Sequence, residues 1–153
     1  MKNMPELWER AKTPSFDPNY TVITDGTRRF RVRVPVDNAE KNRGYRQVKD
    51  ISQDECMLFM YDEAGPMTYT MEHCLVGLRI VFCDAQFKVL QVSDAEAGVK
   101  RVECRNAQCQ NVIEFALRPN PPPCKTVKVI TRFTLEQDMY GMPAFFDSVF
   151  GLN

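Results

Sequence analysis

Apolar and polar positions alternate through Arg29–Val34: Phe30, Val32 and Val34 fall on one side, Arg29, Arg31 and Arg33 on the other. A period of two predicts a strand with one buried face, which Pro35 then stops or confines to an edge. The stretch DNAEKNRGY follows as a short helix. Asp37 is its cap, Glu40 stands three residues later, and Gly44 supplies a left-handed C-terminus. Residues 47–55 are polar and acidic and predict a loop. Cys56–Tyr61 is an unbroken apolar run of strand length, the pattern of a central strand buried on both faces.

Gly65-Pro66 marks a turn. Leu75–Cys83 and Phe87–Val92 predict a hairpin joined by Asp84-Ala85-Gln86. Further strands are expected at Val99–Cys104, Val112–Leu117 and Thr126–Leu135, with the PNPPP stretch at 119–123 as an extended connector outside any central sheet. About seven short strands with little helix predict a mainly β (α+β) fold. Its expected form is a small antiparallel β-barrel or sandwich with one or two short helices and extended N- and C-terminal arms.

The division follows from these elements: an N-terminal arm over 1–20, a β-rich core over 21–135 and an apolar C-terminal arm over 136–153. Pro5 opens a turn of helix around Trp8, and Pro143 starts a second that places Phe146, Val149 and Phe150 near one face. A short apolar end is marginal alone in water and must dock, on its own domain or on a neighbour.

Composition narrows the class. With 153 residues, 44% hydrophobic and 26% charged, the chain suits one globular domain. No apolar run approaches the roughly 18–20 residues of a membrane-spanning helix. The first residues, MKNMPELWERAKTP, lack an apolar h-region, so a cytoplasmic protein is expected, or a virion protein if phage-encoded, and not a secreted one. The six cysteines then read as mostly buried thiols rather than a disulfide framework. Net charge is zero but uneven: +5 over residues 1–49, −7 over 50–97 and +2 over 98–153. Such asymmetry suits faces that pair within one fold or between copies. The lack of a basic excess speaks against nucleic acid, and no membrane partner is expected.

Chemistry-bearing motifs are few. His73-Cys74 joins the sole histidine to a thiol, but acting Cys-His pairs are usually distant in sequence. Cys104 and Cys109 are spaced C-x4-C, with Cys124 within reach along the chain. Zinc commonly takes four ligands, so a site would need His73-Cys74 to fold over. Loop cysteines without metal are the simpler reading, and no metal or cofactor is expected. Asp62, Glu63 and Glu72 surround the Gly65-Pro66 turn as ordinary surface carboxylates. Phosphate loops, nucleophile elbows and metalloprotease helices are absent, so no catalytic residue and no enzyme is expected.

One sequence pattern recurs along much of the chain. Asp37, Glu40, Arg43, Gly44, Tyr45 and Arg46 are followed by Met57-Leu58-Phe59. Then come Tyr69, Met71, Leu75, Leu78, Ile80, Phe82 and Asp84, and finally Val112-Ile113-Glu114-Phe115. From about Val34 to Phe115 this resembles the bacterial and archaeal family called domain of unknown function 192. That family shows A-x-T-x-x-x-R-x-G-L-M-x-R, G-M-L-F, W-M-K-N-T-x-x-P-L-D-I-x-F-I-D and V-L-E-L. The resemblance implies a small β-fold and no assigned chemistry. The family's K-N-T stands here as Glu72-His73-Cys74 and its P-L-D as Gly77-Leu78-Arg79. A ligand site built on that set would be inverted in charge. Common members follow an export segment, whereas divergent versions without one occur in phage genomes.

These readings favour a non-enzymatic structural or assembly protein, foremost a phage virion component in a homo-oligomer or larger assembly. Its interface residues would be Trp8, Phe145, Phe146, Val149 and Phe150 on the arms and Arg29, Arg31 and Arg33 on the basic strand. Each large aromatic would contribute on the order of 1.5–3 kcal/mol on burial. The rival is a cytosolic small-ligand or zinc-binding module of the same family.

Overall fold

The computed structural model describes residues 12–131 of the chain. Along the described residues run β1 (Phe16–Thr24), β2 (Arg28–Arg33), α1 (Asn38–Arg43), β3 (Glu55–Met60), β4 (Met67–Tyr69), β5 (Leu78–Cys83), β6 (Val89–Ala95), β7 (Val102–Cys104), β8 (Asn111–Ala116) and β9 (Val127–Thr131). Seven strands form one curled sheet in the order β6-β5-β8-β3-β2-β1-β9, and β4 pairs with β7 beside it. The fold is mainly β, as the sequence pattern predicts. Every pairing is antiparallel except β2 with β3, whose connection carries α1. A parallel pair needs a long crossover, and the 21 residues between Arg33 and Glu55 supply it.

The continuous apolar run at β3 makes it central, between β2 and β8, with alternate side chains in two apolar clusters. Met57 and Phe59 join Ile80, Phe82 and Val112 on one face; Cys56 and Leu58 join Val81, Ile113 and Phe115 on the other. β2 keeps its alternation, with Phe30 and Val32 buried and Arg29 and Arg31 exposed.

Several boundaries differ from expectation. The first strand begins at Phe16, inside the segment read as an arm, because residues 21–24 pair with both β2 and β9 and carry the strand back towards the chain start. β5 begins at Leu78 rather than Leu75. Gly77 lies so close to Ala95 that a Cβ would stand 3.1 Å from its carbonyl oxygen, and Leu75 is half exposed before it. The hairpin loop extends through Lys88: Asp84 Oδ1 accepts from the amides of Gln86 (2.9 Å) and Lys88 (2.8 Å), and Phe87 takes φ +63°. β7 begins at Val102, after Gly98 turns the chain at φ +84°. The prolines at 121–123 lie outside the sheet, as their missing donors require.

Candidate functional site

Glu114 lies in the middle of β8, opposite Met57 of β3 and Ile80 of β5, on the face that carries Phe59, Phe82 and Val112. Alternation therefore sends a carboxyl into an apolar core, where it is only 5% exposed. The Arg46 charge is what opposes its burial. It faces a cavity of about 220 Å³ bounded by α1 and the turn after it, by Phe59 and Tyr61, and by Thr68, Tyr69, Thr70 and Cys74.

The local sequence builds each wall. Asp37 Oδ1 accepts from the Glu40 amide at 2.8 Å and starts α1. Gly44 ends it, donating to the Glu40 carbonyl at 2.9 Å with φ +50° and ψ −129°. Without a side chain there, the turn settles against Phe59 and the Glu114 carboxyl; a Cβ would stand 3.5 and 3.7 Å from them. Lys41, Arg43 and Arg46 thereby line the cavity. Arg46 Nε donates to the Glu72 carbonyl at 3.3 Å, and the Gln47 amide donates to His73 at 2.8 Å, which ties this wall to the loop before Cys74. Lys41 Nζ donates to the Met60 carbonyl at 2.8 Å and sits 4.6 Å from the Tyr61 ring centre. The hydroxyls of Tyr61 and Tyr69 share a hydrogen bond of 2.6 Å, and the Tyr69 ring meets Phe59 edge-on at 5.5 Å.

The electrostatics follow from burial. Loss of water pushes the Glu114 carboxyl up to about 8, with the Arg46 charge pulling the other way. Burial also raises the Tyr61 and Tyr69 hydroxyls, so both stay protonated near neutral pH. Burial lowers Arg46 somewhat, against the pull of Cys74, Glu114 and Glu72. The site offers protonated oxygens and cationic nitrogens, and no activated nucleophile. The Cys74 thiol is pushed up to about 11 by burial and by Glu114, with Arg46 opposing.

Of the residues singled out from the sequence, Cys74 lines this cavity, while the basic strand and the other cysteines lie elsewhere. Arg31 bonds Asp54 through Nε and Nη2, each at 3.2 Å, and stands over the Phe16 ring. Arg33 Nε meets Glu55 Oε2 at 2.6 Å, and its Nη1 donates to the Pro14 carbonyl at 2.8 Å. Arg31 and Arg33 thus pair with the acidic segment of the same chain, and Arg29 lies on the exposed side of the strand. Trp8, Phe145, Phe146, Val149 and Phe150 lie outside the described residues. Cys104 and Cys109 are hydrogen-bonded neighbours in one apolar cluster, while Cys124 packs against the other. The described residues contain no group of three or more His, Cys, Asp or Glu placed to hold a metal. His73 turns the chain at φ +68°, and Asp62, Glu63 and Glu72 are exposed.

A second cavity, of about 230 Å³, lies at the other cluster between Phe30, Phe115, Arg28 and Arg118 and the prolines at 121–123. Asp25 Oδ1 beside it is taken up by the amides of Lys125 and Thr126. Sequence reasoning passed over Glu114 as a site residue. The available signal was a glutamate interrupting the apolar strand Val112–Leu117, at a position where a soluble sheet has no use for a charge.

A curled sheet with one carboxyl buried beside a small cavity describes a compact β module. Residues 20–118 match the family domain of unknown function 192, described as an uncharacterised ACR, and the chain belongs to that family. No curated protein matches it. Two solved structures are similar. One is a proposed transcription regulator from Sinorhizobium meliloti, 17% identical, with a TM-score of 0.58 over 72% of this chain and 91% of the other. The second is a protein of unknown function from Novosphingobium aromaticivorans, 20% identical, with a TM-score of 0.60 over 84% and 98%. These likenesses show the shared fold. The cavity draws its walls from the stretches that carry the family pattern: Arg43-Gly44-Tyr45-Arg46, Phe59, Tyr69 and Glu114.

Proposed function

We propose that this chain is a small-ligand binding module of its family, acting without catalysis, with the Glu114 cavity as its site. The single observation that carries the reading is a buried carboxyl facing a preformed cavity rimmed by three cationic side chains. Taking a carboxyl out of water costs free energy unless it is paired. A ligand that gives it a partner recovers part of that cost, which suits the site to binding.

Weight moves to this reading from arm-mediated assembly, including its virion form. Part of the segment read as the N-terminal arm belongs to β1, and Arg31 and Arg33 are engaged in cis. The assembly reading retains its own check, which is whether removing residues 136–153 changes self-association.

The binding reading is tested by titrating a fragment library into the 15N-labelled full chain. Amide shifts should cluster at residues 43–46, 68–70 and 114. Shifts confined to the Phe30–Phe115 cavity, or none across the library, would overturn it.

A further inference from the structure

The groups presented to the cavity are unbalanced in a way that selects a ligand. Lys41, Arg43 and Arg46 bring three positive charges to its wall against one carboxyl. The Tyr61–Tyr69 pair holds two hydroxyl protons; one is spent in the 2.6 Å bond between them and the other remains available to a third atom. Thr70 Oγ1 accepts from the Glu72 amide at 3.1 Å and has its proton left to give. Guanidinium, ammonium and phenol are donors, so a bound molecule must present acceptors. The remaining wall is aromatic: the Phe59 and Tyr69 rings pack edge-on and Tyr61 extends the surface. A cavity of about 150 Å³ holds a benzene ring; about 220 Å³ leaves room for a ring with one small headgroup.

Resting on the binding reading above, we infer that the cavity takes a small oxyanion on a flat apolar body, of the size and kind of an aromatic carboxylate. The headgroup sits among the cations and phenols, and the ring lies against Phe59 and Tyr69. Geometry then gives Glu114 a defined part. It shares the cavity with the incoming anion, and two carboxylates there would repel, so the complex forms with Glu114 in its acid form, donating to the ligand. The charged and titratable groups facing it are Lys41 and Arg43 of α1, Tyr45 and Arg46 of the following turn, Tyr61 after β3, Tyr69 of β4 and Cys74 before β5. Its neighbours across the sheet, Met57 and Ile80, are apolar. No second carboxylate lines the cavity among the described residues. Since burial raises Glu114 to about 8, affinity holds below that pH and falls about tenfold per unit above it.

The test uses matched probes with the full chain, followed through the Gly44 and Glu114 amides: benzoate, benzamide, benzylamine and inorganic phosphate. Benzoate is expected to bind at the millimolar level suited to about nine heavy atoms, with the uncharged and cationic analogues at least tenfold weaker. Raising the pH from 7 to 9.5 should weaken benzoate more than tenfold in the parent and leave Glu114→Gln unaffected. Arg46→Gln should lose benzoate while melting within a few degrees of the parent. If benzamide or benzylamine seats in the cavity in preference to benzoate, the ligand class is wrong while the binding site stands. If phosphate competes as well as benzoate, the flat apolar body is wrong. If no probe binds, the inference is overturned, and the fragment titration alone decides the site.

Discussion

Arg33 and Glu55 meet at 2.6 Å, Nε to Oε2, on two strands that run parallel, and the buried Tyr45 hydroxyl reaches the same oxygen at 3.0 Å. The second carboxylate oxygen accepts from the Ser52 amide at 3.0 Å. Burial alone would raise Glu55; the Arg33, Ser52 and Tyr45 contacts outweigh it and hold the carboxyl below its usual value. A depressed carboxylate stabilises the fold above the unfolded value, near 4.5, and this contribution is lost as pH falls through the folded value. Glu55→Gln should therefore lower stability by about 2 kcal/mol at neutral pH. Urea unfolding of parent and variant should converge as the pH approaches 3; an unchanged gap would show that charge is not what the pair contributes.

Glu114 has the opposite sign. Its folded value of about 8 lies above the ordinary 4.5, so its contribution is complete below 4.5 and is lost as pH rises through 8. Glu114→Gln keeps the shape without the ionisation. At pH 9 the variant should be more stable than the parent by roughly 2–5 kcal/mol, with little difference at pH 4. Paired urea curves at the two pH values decide it, and equal stability at pH 9 would mean that Glu114 ionises without penalty.

Gly44 holds φ +50° and ψ −129°, a region closed to side chains, although a Cβ would meet its neighbours only at ordinary contact distances. Gly44→Ala should cost about 1–3 kcal/mol. Thermal melting would measure it, and a neutral substitution would show that the turn relaxes away from Glu114.

Thiol reactivity should follow burial. Five of the six cysteines are buried and Cys124 is partly exposed. Iodoacetamide on the native chain at pH 8 should modify Cys124 first, with Cys74 protected because its thiol is pushed up to about 11. Peptide mapping at short times checks the order; an early Cys74 adduct would reopen nucleophilic chemistry at His73-Cys74.

Much of the fold was legible because its strands obey simple periods. The alternation in β2, the unbroken run in β3 and the capped helix between Asp37 and Gly44 all appear where local rules put them. β1 escaped because FDPNYTVIT opens with an Asp-Pro pair that reads as a break, and its pairing partners lie far along the chain. β4 escaped for a related reason: three residues carry no period, and only β7 makes them a strand. The site was least legible. Glu114, Tyr61, Tyr69 and Arg46 come from four separate stretches, and no spacing rule joins them. The basic stripe was visible as a pattern, but its partners, Asp54 and Glu55, lay across a crossover that sequence does not order.

The parallel pairing of β2 with β3 divides the large sheet into two antiparallel halves, β9-β1-β2 and β3-β8-β5-β6, joined by a register of only three residue pairs. That join is also where Arg31 and Arg33 of the basic first third meet Asp54 and Glu55 of the acidic middle. Beside these ion pairs one apolar cluster crosses the join: Val22, Phe30 and Val32 pack with Cys56, Leu58 and Phe115, the Phe30 and Phe115 rings meeting edge-on at 4.8 Å. Losing the ion pairs alone would therefore leave the two ladders held together by a core that they share.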